Sequence, residues 1–382
     1  VTQEHTKPAL HGYLPSLDGW RAVAILTVMA FHSQGSLVRA FGVSVQQVAG
    51  HMELLGPFGV DIFFAISGLL ITSRLLAEED RAGGISLKNF YIRRAFRILP
   101  PSLVYLGAVA GLSALGLMKF QAESWRAALL FSVNFVEHPW WFVGHFWSLA
   151  VEEHFYFLWP FLLVFVGRSR RLWVGLGMCG AVTAWRMLNI KFVGIGLAMG
   201  SAYFSHQGRT DFQVDGIFWG ALAALAYPLL KDKAWVQRAL SQRIGWMLFA
   251  LAVGSLSVTA DWKLMQGLLV FRRMAIPVVL LTTILHCDGA TAWVLDSGAM
   301  RWIGKLSYSL YLWQQLFLVM GLEDRVHVML PEMFPLNFVC AFGCAVLSYN
   351  LVEKPCIRMG HWMASRGWLA GKAEAVRDVL TA

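Results

Sequence analysis

Two side chains capable of charge and proton chemistry lie inside one apolar segment, LDGWRAVAILTVMAFH (17–32): Arg21 and His32. Ionisable groups are costly within a membrane and usually serve function there. Their separation of eleven residues is close to three turns of a helix, so both fall on one face, roughly 16 Å apart along the axis. Asp18 lies on the same stripe. A cation near one end and a titratable base near the other suit a charged substrate delivered to proton chemistry, and histidine is the natural general base for a hydroxyl. The plainer alternative keeps Arg21 as a snorkelling interfacial charge and His32 as a buried, hydrogen-bonded residue.

Three further segments carry candidates. In ISLKNFYIRRAFRILPP (85–101), Arg93, Arg94 and Arg97 fall within about a helical turn. Guanidiniums so clustered can hold the phosphates of a nucleotide-like ligand, although spacing alone favours an anchor against acidic lipid. FGVDIFFAISGLLIT (58–72) sets Asp61 and Ser67 in an apolar run, with Gly68 permitting close approach of a neighbour or a ligand. HFWSLAVEEHFYFLWP (145–160) repeats Ser148, Glu152 and Tyr156 at four-residue intervals and pairs Glu152 with Glu153. Two adjacent carboxylates beside an apolar, Trp-rich helix are hard to explain as a surface cap. Asp215 and the pair Arg272 and Arg273 add charges whose simplest reading is mutual pairing.

The elements that must position these groups are membrane helices. Of 382 residues, 57% are hydrophobic and 14% charged, and the mean hydropathy is +0.55, well above that of a soluble domain. The expected fold is all-α, a polytopic bundle of about ten transmembrane helices at roughly 17–37, 57–76, 98–118, 144–166, 172–189, 213–230, 244–259, 267–286, 306–322 and 335–353. The stretch 124–137 reads either as a further span or as a surface helix. Basic residues concentrate in every second connection, which places both termini in the cytoplasm. The same asymmetry accounts for the net charge of +9 without invoking nucleic acid. The opening residues lack the form of a cleaved signal peptide. The five cysteines show no paired spacing, so neither a disulfide framework nor a metal site is expected. Residues 17–358 are read as one integral membrane domain, with cytoplasmic tails at 1–16 and 359–382.

In order along the chain, LDGWRAVAILTVMAFH, FGVDIFFAISGLLIT, FYIRRAFRILPP, FWSLAVEEHFYFLWP, YSLYLWQQLF and LVEKP resemble the successive blocks of the acyltransferase 3 family of bacterial integral membrane O-acyltransferases. This resemblance implies transfer of an acyl group, usually acetyl, from acyl-CoA to a hydroxyl of a carbohydrate or lipid-linked glycan, at the bacterial cytoplasmic membrane. It implies acyl-CoA as a co-substrate and no permanently bound cofactor. His32 matches the catalytic base, Arg21 its motif partner, and Arg94 and Arg97 the acyl-CoA contacts. Ser67, Glu152 and Glu153 fall on matching positions with less defined roles. With direct transfer, Glu152 or Glu153 is expected to orient His32. Gln314 departs from the pattern, standing where the family's YLWH block has histidine. The chain is also expected to lack the extracytoplasmic hydrolase-like domain that some members append. The rival reading from another class is a transporter or flippase that uses the buried charges as a proton relay.

Overall fold

The structure, a computed structural model, describes residues 13–42, 55–197, 208–257, 262–318 and 333–365. Within them the architecture is helical, and no strand is present. The long helices are α1 (Pro15–His32), α2 (Leu55–Ala82), α3 (Leu87–Ala114), α4 (Phe146–Phe165), α5 (Arg171–Leu197), α6 (Asp215–Leu230), α7 (Gln242–Gly254), α8 (Trp262–Leu285), α9 (Gly298–Phe317) and α10 (Leu336–Ser348). Each of the ten apolar segments overlaps one of them, with 258–259 and 319–322 lying outside the described residues. Five helical stretches among the described residues are long and apolar enough to cross a membrane on length and composition: Leu55–Ala82, Leu87–Ala114, Trp141–Phe165, Gly267–Leu285 and Leu336–Ser365. This is a multi-pass membrane protein. The stretch 124–137 is no span: it holds the eight-residue helix Ala122–Leu129 and a short 3-10 turn, Val133–Phe135. Beyond α10 the chain continues through a π-helical turn, Tyr349–Glu353, and stays helical to Ser365, past the boundary read at 358.

Internal prolines sit in α3, α4, α6 and α8. Membrane helices tolerate such breaks because neighbouring groups re-satisfy the freed backbone. Large apolar side chains such as Phe157, Phe165, Trp173, Leu229 and Leu351 face outward, as a lipid-exposed surface requires.

Helix α2 is the most buried of the five candidate spans. Gly68 abuts the backbone of α6 at Ile217, and Gly220 of α6 abuts the backbone of α2 at Ala65. A β-carbon at either glycine would collide with main chain, so the small residues set the close approach. Side-chain contacts fix the directions of the neighbours. Gly56 and Gly59 of α2 meet Phe31 and Thr27 of α1, so these helices are antiparallel. Gly304 meets Asp18 and Gln314 meets His32, so α9 runs alongside α1 in the same direction. Ser67 and Thr72 of α2 bond Glu152 and Trp159 of α4, making these two parallel. Tyr91 of α3 bonds the carbonyl of Phe157, and Tyr105 that of Phe142, making α3 antiparallel to α4. The alternation is the one that successive membrane crossings produce.

Candidate active site

The helices α1, α2, α3, α4 and α9 enclose a cavity with about 840 Å³ of space, its mouth included. Its lining on α2 runs from Val60 through Phe63, Ser67 and Ile71 to Arg74. The fourteen residue steps from Val60 to Arg74 cover about 21 Å of α2.

One end is cationic. Arg21, Arg74, Arg94 and Arg97 all line it, but they are not equivalent. Arg21 donates to Asp18 at 2.7 Å. Arg94 lies 3.5 Å from Glu152 and 3.4 Å from Glu153, with its guanidinium 3.5 Å over the ring of Tyr156. Arg74 and Arg97 make no direct ion pair among the described residues, and the buried carboxylate of Glu353 acts on Arg97 from a longer distance. Arg74, whose charged neighbours are the other arginines, leaves positive charge at this end for an anionic ligand to answer.

The middle of the cavity is a polar wall. Glu152 accepts from Ser67 at 2.9 Å and from Tyr156 at 3.0 Å. Ser148 shares a 2.6 Å hydrogen bond with the hydroxyl of Tyr311. Tyr308, also lining, shares a 2.7 Å bond with Ser102.

His32 lies one turn further on, outside the lining. Its Nδ1 is 2.9 Å from Oε1 of Gln314, and its ring stands edge-on to Trp141 at 5.4 Å. The Nε2 of Gln314 donates to Oε1 of Gln315 at 3.2 Å, and Gln315 in turn donates to the carbonyl of Trp141 at 2.9 Å. With its amide nitrogen so engaged, Gln314 presents oxygen to the imidazole. In this arrangement Nδ1 is the ring nitrogen that donates to Gln314 and Nε2 the one without a proton.

A family model described as an acyltransferase domain matches residues 14–348. The chain belongs to this acyltransferase family. It is 28% identical to the peptidoglycan O-acetyltransferase OatA of Listeria monocytogenes over 91% of its own length and 56% of that protein's. It is 26% identical to the O-acetyltransferase OatA of Staphylococcus aureus (strain NCTC 8325 / PS 47), over 91% of its length and 58% of the relative's. The chain thus spans less than two thirds of these relatives. No solved structure matches it.

Within this acyltransferase domain, the structure gathers most of the residues singled out from sequence. Arg21, Ser67, Arg94, Arg97, Ser148, Glu152 and Tyr156 all line the cavity. Two expectations are revised. Arg93 turns away from the cavity to Glu78, 3.0 Å away, because one residue's rotation from Arg94 points it toward the end of α2. Glu152 and Glu153 engage Arg94, while the hydrogen bond to His32 comes from Gln314; Glu152 follows Trp141, against which His32 stands, by eleven residues, about three helical turns. Asp61 and Asp215 belong to a separate buried set with Arg186 and Arg273. Arg186 meets Asp215 at 2.9 Å, and Arg273 meets Asp61 at 3.0 Å and also Asp215.

Sequence reasoning missed Arg74, Tyr308 and Tyr311. Arg74 follows Ser67 by seven residues, two helical turns, and so shares its face. The polar residues of YSLYLWQQ recur on one face of an otherwise apolar helix. Both signals were present. Among the described residues no group of three His, Cys, Asp or Glu side chains is arranged for a metal ion.

Proposed function

We propose that this protein is an O-acetyltransferase of the bacterial cytoplasmic membrane, with about ten spans and both termini in the cytoplasm. It moves an acetyl group from acetyl-CoA to a hydroxyl of a carbohydrate or lipid-linked glycan, with peptidoglycan the acceptor suggested by the relatives' names. Residues 17–358 form the acyltransferase unit. The observation that carries the donor assignment is the cluster Arg21, Arg74, Arg94 and Arg97 lining one end of the cavity, in which Arg74 and Arg97 make no direct ion pair among the described residues. The phosphates of CoA bind at that end, and the pantetheine arm lies along the polar wall toward Ser148. The lining extends over about 21 Å of α2, a length comparable with an extended arm of this kind. Binding remote from the reacting atoms fixes the thioester in place.

In this reading Nε2 of His32 accepts the proton of the acceptor hydroxyl as its oxygen bonds to the thioester carbon. The C–S bond then breaks, and the proton passes from His32 to the departing thiolate, giving the acetyl ester and free CoA. Gln314 supports this role without titrating: by accepting from Nδ1 it holds the tautomer in which Nε2 is the base. The replacement of the family's histidine by Gln314 therefore preserves an acceptor at this position.

The test is transfer by the purified protein in nanodiscs, reading free CoA and acetylated glycan together. Acetyl-CoA with a peptidoglycan fragment is expected to yield both, whereas a transporter releases no CoA. The His32→Gln variant, expressed at the parent's level, is expected to lose transfer by about 10²- to 10⁴-fold, the range of general base catalysis. Transfer within a few-fold of the parent would make His32 a packing residue and refute the mechanism.

A further inference from the structure

A second histidine occupies the turn between the cavity and His32, and nothing in the mechanism above uses it. His145 is only 3% exposed, yet neither of its ring nitrogens has a hydrogen-bond partner. An imidazole offers at least one N–H whatever its tautomer, and a buried polar atom left unpaired is costly. Its ring packs among Tyr105, Phe146 and Tyr311, with centroids 5.4, 5.0 and 5.5 Å away.

Two independent helices give its position the same order. On the α4 side, Ser148 lines the cavity, His145 comes one turn before it, and Trp141, against His32, one turn before that. On α9, Tyr311 lines the cavity and touches His145, and one turn later Gln314 bonds His32. The hydroxyl of Tyr311 donates to the carbonyl oxygen of His145 at 3.0 Å, which pins the backbone there. The two imidazoles are close enough to interact electrostatically. Along both helices His145 therefore lies at a level between the cavity lining and His32.

We propose that His145 is a further catalytic residue, whose ring N–H donates to the thioester carbonyl oxygen as that oxygen becomes an oxyanion. This rests on the acetyl-CoA reading. As the acceptor oxygen bonds to the carbonyl carbon and gives its proton to His32, the C=O π pair moves onto the oxygen held by His145. Collapse re-forms the carbonyl and breaks the C–S bond, and His32 returns the proton to the thiolate. A donor aimed where charge develops acts mainly in the transition state. The unpaired N–H is thus satisfied during turnover rather than at rest.

Two substitutions test this in the nanodisc assay. His145→Phe keeps a planar ring and removes the donor; His145→Gln keeps an N–H. The Phe variant is expected to lose about 10²- to 10³-fold in kcat, the cost of one oxyanion donor, with KM for acetyl-CoA within a few-fold of the parent's. Because it removes unpaired polar atoms, its melting temperature should not fall. The Gln variant is expected to be at least ten times as active as Phe. Activity of His145→Phe within a few-fold of the parent, Gln as inactive as Phe, or a melting temperature lowered in step with activity would each overturn the proposal. The parent measured alongside separates the readings: a parent lacking acetyl-CoA-dependent transfer overturns both, whereas an active parent with an equally active Phe variant overturns only the role of His145.

Discussion

Arginines gather along two faces of α2, and the two groups are built differently. On the face carrying Asp61 and Gly68, α2 packs against α6 and α8. There Asp61, Asp215, Arg186 and Arg273, each no more than 4% exposed, close on one another. On the face carrying Ser67 and Arg74, α2 borders open space, and Arg74 and Arg97 make no direct ion pair among the described residues, with Glu353 acting on Arg97 only from a longer distance. Two acids and two bases in contact answer each other's charge. Cations beside a cavity leave something for a ligand to answer. A charge inside a membrane protein is therefore not a site by virtue of burial; it becomes one where the fold leaves its counter-charge missing.

The largest effect expected from breaking the closed set is on stability. Asp215→Ala would strand Arg186 in a low-dielectric interior and leave Arg273 with Asp61 alone, a change that costs about 3–5 kcal/mol for a buried pair. Thermal unfolding in detergent measures it. A loss below about 1 kcal/mol would remove the distinction between the two groups. The open set should answer in the opposite currency. Arg97→Ala and Arg74→Ala are each expected to raise the apparent KM for acetyl-CoA, equivalent to about 1.5–3 kcal/mol for a lost charge-assisted contact, with unfolding nearly unchanged. Arg97→Lys should recover only part, since an ammonium lacks the planar fork. An unchanged acetyl-CoA dependence in both Ala variants would return these residues to a lipid-anchoring role.

Sequence made this contrast half visible. Apolar length and periodicity located the helices, because a membrane span must satisfy its own backbone and so leaves a long one-dimensional signature. Arg21, Ser67, Arg94 and Glu152 could be found for a related reason: a polar group in such a run is conspicuous. What one dimension does not carry is partnership. Whether Arg94 faces a ligand or Glu152 depends on how α3 meets α4, and whether Arg273 is free depends on Asp61, 212 residues away. The same holds for Gln314. As a lone departure from a family block it left the proton chemistry open, and its meaning appears only with His32 at 2.9 Å. His145 sat unremarked at the head of a segment read for its carboxylates, since nothing in a sequence distinguishes a satisfied histidine from an orphaned one.

Arg93 supplies the smallest effect and the sharpest control. In sequence it is indistinguishable from Arg94 and Arg97, three basic residues within a turn. In the fold it is 32% exposed at the side chain, pairs with a Glu78 that is 20% exposed, and does not line the cavity. A half-exposed pair of this kind contributes about 0.2–1 kcal/mol at most, after screening by solvent. Arg93→Ala is therefore expected to leave KM for acetyl-CoA within about two-fold, since a few tenths of a kcal/mol is less than a factor of three, and to lower stability by less than 1 kcal/mol. Measured beside Arg97→Ala under the same salt, it separates local geometry from net charge: both variants remove one positive charge from the same helix. If Arg93→Ala raised KM as much as Arg97→Ala, the donor would be sensing the summed field of the basic helix end rather than two unpaired guanidiniums, and the contrast between open and closed charge sets would lose its basis.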